Sequence, residues 1–179
     1  MNKLSRRQIK RLCKPASWQG LARRGQEGYY TDEWWTTGWI LVCTPPSNKI
    51  RNRLRAAGMP QRERIKELLF DIAHKGVWAA PDALATSNDG KSWVRFTRTD
   101  GRQCWVSGHE LSYLLGRCKG EPTYRDWPVA PPSPGIPLPS LCFSVEDKGR
   151  VVGIIVGLLE ETGGNVPPYW NLQLGTDRN

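Results

Sequence analysis

The clearest pattern of apolar positions lies in residues 61–76. Its apolar side chains recur at the i, i+3, i+4, i+7 spacing that places them on one face of an α-helix, and they are Ile65, Leu68, Leu69 and Ile72. Gly76 follows the last of them, and glycine is the residue that most often ends a helix. The pattern therefore predicts an amphipathic helix over residues 61–76.

Three other segments have shorter helical patterns. Residues 4–13 combine a narrow apolar stripe with a broad basic face, and Ser5 is placed to cap this helix before Pro15 prevents its continuation. Residues 47–58 place two apolar side chains four positions apart between a capping Ser-Asn pair and a glycine, and residues 108–119 carry leucines at helical spacing. The 47–58 helix and the 61–76 helix would form a helix-turn-helix-like pair.

Runs of aromatic and β-branched residues predict strands. Residues 28–44 favour one long bent strand or a hairpin. Residues 92–98 and 103–107 flank an Asp-Gly dipeptide, which is typical of a tight hairpin turn. Residues 141–145 and 150–159 predict a second hairpin, whose second strand is apolar on both faces and is therefore expected at the centre of the sheet.

These elements predict an α+β fold in a single domain, with an antiparallel, aromatic-rich sheet and three or four short helices. A basic α+β body is expected in residues 1–121. Prolines recur through residues 122–139, which predicts an extended surface connection because proline lacks the N–H that sheet pairing requires. Residues 140–179 would add the C-terminal hairpin that completes the sheet, followed by a tail.

The chain has five cysteines and two histidines, and their spacing matches no known metal-site pattern. Buried, reduced thiols are therefore expected, with no metal and no cofactor. The first residues alternate basic and apolar side chains, unlike a secretory signal, and the longest apolar run is too short to cross a membrane. These features predict a cytoplasmic protein that does not span a membrane.

Positive charge is concentrated at the start of the chain. Residues 1–66 contain fifteen Lys and Arg against four acids, whereas the remaining residues contain eleven against thirteen. Such asymmetry indicates a surface that faces a polyanion, although a solvated face, an acidic protein partner or a membrane surface would also explain it. The candidate nucleic-acid-binding residues are Arg6, Arg7, Lys10, Arg11, Lys14, Arg23, Arg24, Lys49, Arg51, Arg53, Arg55, Arg62 and Arg64.

The chain also contains nine tryptophans. Trp34 and Trp35 lie in an aromatic run next to the basic region, and rings beside cations can stack on bases or dock a partner. Packing in the core is the other interpretation, because tryptophan is usually largely buried.

Two classes of function follow from these observations. The first is a non-enzymatic accessory protein that binds DNA or RNA through the basic N-terminal third. The second is an adaptor or inhibitor that docks an acidic protein partner through exposed Trp and Arg. A Ser-His-Glu set at residues 107–110 does not predict catalysis, because residues adjacent in sequence rarely converge as a triad.

Two known DNA-binding architectures also share features with this sequence. A helix-turn-helix pair followed by the 92–107 hairpin would be a winged DNA-binding arrangement. Separately, residues 36–42, 106–115 and 153–157 are similar in order to short pieces of the module repeated in DNA sliding clamps.

Overall fold

The computed structural model describes residues 3–21, 28–37, 40–87, 90–129, 140–159 and 171–174. Within these ranges the chain forms five helices, namely α1 (Arg6–Leu12), α2 (Trp18–Leu21), α3 (Asn48–Arg51), α4 (Met59–Lys75) and α5 (Gly108–Leu115). The same ranges contain eleven strands, namely β1 (Tyr29–Tyr30), β2 (Trp35–Thr36), β3 (Ile40–Val42), β4 (Arg55–Ala56), β5 (Val77–Thr86), β6 (Ser92–Arg98), β7 (Gln103–Ser107), β8 (Thr123–Val129), β9 (Ser140–Asp147), β10 (Arg150–Leu159) and β11 (Asn171–Leu174). The α+β class is therefore confirmed.

Strands β5 to β10 close into a six-stranded antiparallel barrel. Each pairs with two others in the cyclic order β5, β6, β7, β10, β9, β8 and back to β5. Closure removes the unpaired edges that an open sheet would leave. The barrel is thus the frame on which the other elements are placed.

Two long strands connect the barrel to the rest of the sheet. One end of β5 pairs with β8 and the other with β11. In the same way, β10 pairs with β7 near its end and with β3 through Gly153–Ile155. The short strands β3, β2, β1 and β4 follow in that order outward from β10, and β4 pairs in parallel with β1 at the outer edge.

The barrel interior is filled by aromatic and aliphatic side chains. Phe96 lies at its centre, with ring centroids 4.8 Å from Tyr124 and 4.9 Å from Phe143. Helices α1 and α5 contribute buried residues to the same cluster, among them Ile9 and Leu114. Ile9 and Leu114 are fully buried, so these two helices cover the interior of the barrel.

Helix α4 packs on the outside of the barrel. Ile72 is fully buried in a second cluster that also contains Leu41, Cys142 and Ile154. On β9, Cys142 belongs to this outer cluster whereas Phe143 belongs to the inner one, as the period of two in a strand requires. The amphipathic pattern predicted for residues 61–76 is thus confirmed, and the helix begins two residues earlier, at Met59.

Both predicted hairpins are confirmed. Strands β6 and β7 have the predicted bounds, and Gly101 in the turn between them has a φ of +88°, which glycine adopts without strain. The turn between β9 and β10 places Lys148 and Gly149 at φ of +53° and +79°. Strand β10 pairs with β9 on one side and with β3 and β7 on the other, in agreement with the central position expected from its apolar sequence.

Residues 122–129 differ from the predicted surface connection. Thr123–Val129 form β8, which pairs with both β5 and β9, and Tyr124 and Asp126 are buried. Pro122 precedes the strand, and Pro128 lies near its end opposite Leu141 of β9, so the five residues between these prolines pair without interruption. The rest of the predicted connection, residues 130–139, lies outside the described residues.

The described residues of 28–44 form three short strands, and β2 pairs antiparallel with both β1 and β3. The predicted hairpin is therefore present and is extended by one more strand. The additional turn is at Thr31, whose hydroxyl accepts hydrogen bonds from the backbone N–H groups of Glu33 and Trp34 at 3.1 and 3.2 Å. Part of the predicted loop-like tail is also a strand, since Asn171–Leu174 pair with β5.

The helix-turn-helix-like pair is absent from the described residues. Helix α3 ends at Arg51, and the residues that were expected to extend it form β4 before α4 begins. The predicted wing is part of the barrel, because β6 pairs with β5 and β7 pairs with β10. A winged arrangement is therefore wrong for this fold.

Candidate nucleic-acid interface

Helix α1 is held by its buried face and exposes its basic face. Ser5 forms the predicted cap, since its hydroxyl accepts from the backbone N–H of Gln8 and the Gln8 side chain accepts from that of Ser5. Ile9 and Cys13 are fully buried. The candidate cations on the outer side are exposed, and they are Arg7, Lys10, Arg11 and Lys14.

Arg6 has a structural role in this helix. Its Nε donates to the carbonyl oxygen of Leu115 at 3.0 Å, and its backbone N–H donates to the Glu121 carboxylate at 3.2 Å. Arg6 therefore joins α1 to the end of α5 and is only half exposed.

The segment from α3 to β4 contains four more candidates. Ser47, one of the two residues expected to cap α3, does so by accepting from the backbone N–H of Ile50 at 3.3 Å. Lys49, Arg53 and Arg55 are exposed. Arg55 lies on the outermost strand of the sheet, so no further strand covers it within the described part of the chain.

Arg51 is held in place by three contacts. Its Nη2 lies 3.2 Å from a carboxylate oxygen of Asp32, its Nε donates to the Pro46 carbonyl at 3.4 Å, and its guanidinium carbon is 5.6 Å from the centroid of the Tyr30 ring. These contacts occupy Arg51 and orient Tyr30 beside the turn.

Arg53 brings α2 to the same surface. Its guanidinium carbon lies 5.5 Å from the centroid of the Trp18 ring, which is partly buried against the inner core. We name this region the α3–β4 surface and define it by Trp18, Tyr30, Lys49, Arg51, Arg53 and Arg55. Sequence reasoning missed Trp18, and the only available signal was its position between two basic segments.

The candidates on α4 lie in a mixed environment. Arg62 and Arg64 are exposed, and Arg62 donates from Nε to the Ala57 carbonyl at 3.2 Å. Glu63 and Glu67 are exposed on the same helix. The structure therefore separates the predicted set into three groups, on α1, on the α3–β4 surface and on α4, whereas Arg23 and Arg24 lie outside the described residues.

The two tryptophans chosen from the sequence are not both available to a ligand. Trp35 is 1% exposed and contacts Tyr113 edge-on at 6.2 Å between ring centroids, so its ring is a core residue and its assignment to stacking is corrected. Trp34 is partly buried against the outer core beneath α4. The two residues point to opposite faces because they are adjacent in an extended segment.

Two exposed rings that the sequence did not single out lie at the end of α4. Phe70 is 57% exposed and Trp78 is 47% exposed. Phe70 stacks on His74 with 4.0 Å between ring centroids, and the Arg125 guanidinium carbon lies 4.0 Å from the Trp78 centroid. Arg125 also donates to the Ala73 carbonyl at 2.7 Å, which brings the two pairs together.

The thiols in this fold are poor nucleophiles. The five cysteines all lie in the described part of the chain, and none of them forms a disulfide. Burial raises the pKa of Cys13, Cys43 and Cys118 to about 11 and that of Cys142 to about 12, so these side chains stay protonated near neutral pH. In the described part of the chain no three His, Cys, Asp or Glu side chains are grouped so as to hold a metal ion.

The residues of the Ser-His-Glu sequence have structural roles. Ser107 caps α5 by accepting from the backbone N–H of Glu110 at 3.4 Å. His109 accepts on Nε2 from the backbone N–H of Ser92 and therefore carries its proton on Nδ1, which donates to the Lys14 carbonyl. His109 thus joins β6, α5 and the segment after α1.

Comparisons with known proteins found no matching family model, no matching curated protein and no matching solved structure. No helix among the described residues is both long enough and apolar enough to span a bilayer.

Proposed function

We propose that this protein binds nucleic acid through the exposed cations of its N-terminal third and acts as a non-enzymatic accessory protein. One observation carries the proposal: nine of the eleven described candidate cations are exposed, and only Arg6 and Arg51 are half-buried. If these cations had been buried, or paired with acids inside the fold, they could not have formed a surface that binds a polyanion.

Local ion pairing is consistent with this proposal. Of the eleven described candidates, only Arg51 has its side chain paired with an acidic side chain, Asp32, within the described ranges. Lysine and arginine side chains without acidic partners can neutralise phosphates and release the counterions condensed on a nucleic acid. Backbone contacts of this kind give affinity without sequence specificity.

The salt dependence of binding tests this proposal. We expect the triple variant Lys49→Ala, Arg53→Ala, Arg55→Ala to flatten the slope of log affinity against log salt on duplex DNA by about 2 to 3, since each lost phosphate contact removes roughly 0.9 from the slope. Fluorescence anisotropy with a labelled duplex measures the slope.

A matched triple variant controls for net charge. Arg102→Ala, Lys119→Ala and Arg150→Ala remove the same number of exposed cations from outside the N-terminal third. Their slope should stay close to that of the unaltered protein. Equal flattening by both triple variants, or no retardation of any probe at low salt, would contradict the proposal.

One observation favours the second class of function, an adaptor or inhibitor that docks a protein. The exposed Phe70 and Trp78 lie beside Arg125, and tryptophan and arginine are the residues most enriched in binding hot spots. Arg125 is paired with Glu146 and Lys75 with Asp71, so this patch has less uncompensated positive charge than the α3–β4 surface. If the protein retards no nucleic acid and these two rings are needed to bind a protein from nuclease-treated lysate, the second function replaces the first.

A further inference from the structure

Two rings on the α3–β4 surface each lie beside an arginine and against the core. Trp18 and Tyr30 are partly buried against the inner core cluster, which fixes their positions. The guanidinium groups of Arg53 and Arg51 lie 5.5 and 5.6 Å from their centroids. A ring fixed in this way stacks on a ligand with little loss of side-chain entropy.

The two pairs differ in how freely their arginine can respond to a ligand. Arg51 is bound to Asp32 and to the Pro46 carbonyl. Arg53 is exposed, and within the described residues the one contact assigned to its side chain is with Trp18. Trp18 and Arg53 are therefore the pair that can bind a ligand jointly, with the indole ring stacking on its aromatic group and the guanidinium binding its negative charge.

The charge around this pair is complementary to a polyanion. Lys49 and Arg55 are exposed and lie within four residues of Arg53 in the sequence, and the acid Asp32 is paired with Arg51. The exposed cations would bind the phosphates of such a ligand, and an aromatic group of the ligand would stack on the indole ring of Trp18. An unpaired nucleotide supplies both groups.

We propose that the α3–β4 surface binds single-stranded nucleic acid, with one base stacked on Trp18 and the adjoining phosphates on Lys49, Arg53 and Arg55. This inference rests on the proposed function and makes it more specific. Stacking favours single strands because the faces of duplex bases are covered by their neighbours, whereas an unpaired base presents a free face to an aromatic side chain.

Three probes of about 12 nucleotides, within the range of single-strand site sizes, test the inference. They are an oligothymidylate strand, an abasic strand of the same length, and a duplex. Trp18→Leu keeps an apolar side chain against the core and removes the ring. We expect it to weaken binding to oligothymidylate by about 5- to 150-fold, the range measured for one stacked base, and to leave binding to the other two probes unchanged.

Trp78→Leu is the matched control, because Trp78 also has an arginine over its ring but lies on β5, just after α4, and is not part of the α3–β4 surface. It should leave binding to all three probes unchanged. Circular dichroism melting of both variants verifies that they are folded, and Trp18→Phe, which keeps a ring, should recover part of the affinity for oligothymidylate.

The possible failures can be told apart. If the unaltered protein binds none of the probes at low salt, both the proposed function and this inference are wrong. If it binds all three and Trp18→Leu changes no affinity, or weakens all three equally, nucleic-acid binding stands and the stacking site is overturned.

Discussion

At the scale of single residues, the most unusual group is the carboxylate of Asp126. It is fully buried at one end of the barrel, 3.3 Å from Nε of Arg98, and neither of its oxygens has a hydrogen-bond partner in the described structure. Arg98 is also paired with Asp100 at 3.1 Å. Burial raises the pKa of Asp126 to about 6, while the charge of Arg98 lowers it in part.

This pKa predicts a particular pH dependence of stability. Native Asp126 holds its proton more tightly than the unfolded chain, where the ordinary value is 3.8. The native state therefore takes up a proton as the pH falls from about 7 to 4, and the contribution of this residue to the free energy of unfolding rises over that window. The contribution is complete below the unfolded pKa and is lost as the pH rises through 6.

Asp126→Asn keeps the shape of the side chain and removes the titration. As the pH falls from 7 to 4, we expect the free energy of unfolding of the unaltered protein to rise relative to that of the variant. Urea unfolding at several pH values measures it, and other carboxylates cancel because both proteins contain them. A difference that does not change with pH would show that Asp126 titrates normally.

At the scale of elements, helix α1 joins the basic surface to the core. Ile9 and Cys13 enter the inner cluster, and the backbone N–H of Leu4 donates to the Pro81 carbonyl at 2.7 Å, where β5 passes from β8 to β11. The backbone N–H of Ala16 donates to the His109 carbonyl at 3.0 Å. The exposed cations of α1 are therefore presented by a helix that is fixed at both ends.

Ile9→Ala should destabilise the protein by about 2 to 5 kcal/mol, because it removes fully buried methyl and methylene groups and leaves a cavity. Arg11→Ala, on the exposed face of the same helix, should change the free energy of unfolding by less than about 0.5 kcal/mol. Urea unfolding of both variants provides the measurement. A loss as small for Ile9→Ala as for Arg11→Ala would mean that α1 is not docked in solution.

At the scale of the whole molecule, the sheet consists of a closed ring and a short open extension. Every strand of the ring pairs on both sides, whereas β4 has one partner and β1 and β2 are two residues long. Local opening needs less free energy where few backbone hydrogen bonds and few buried contacts must be broken. The α3–β4 surface therefore lies on the less protected part of the fold.

Amide hydrogen exchange should show this difference. We expect the amides of β6, β9 and β10 to exchange only through global unfolding, and those of β1 and β4 to exchange much faster by local opening. Exchange followed by NMR at neutral pH distinguishes the two groups. Equal protection of both would indicate that the extension unfolds together with the barrel.

The sequence by itself determined the elements whose signals are local. The spacing of Ile65, Leu68, Leu69 and Ile72 defined α4, the Asp-Gly turn defined β6 and β7, and Ser5 and Ser47 capped the helices that they were expected to cap. These signals depend on periodicity and on backbone conformations within a few residues, which a sequence displays directly.

Only the tertiary structure decided which segments meet. The pairing of β9 with both β8 and β10 closes the barrel. Because of this pairing, the proline-containing residues 123–129 are a strand of the sheet. The burial of Trp35 and the contact between Trp18 and Arg53 depend on elements far apart in the chain. Strand pairing and burial are set by packing over the whole molecule, so the cations of the candidate surface could be predicted from the sequence, whereas the ring that completes it could not.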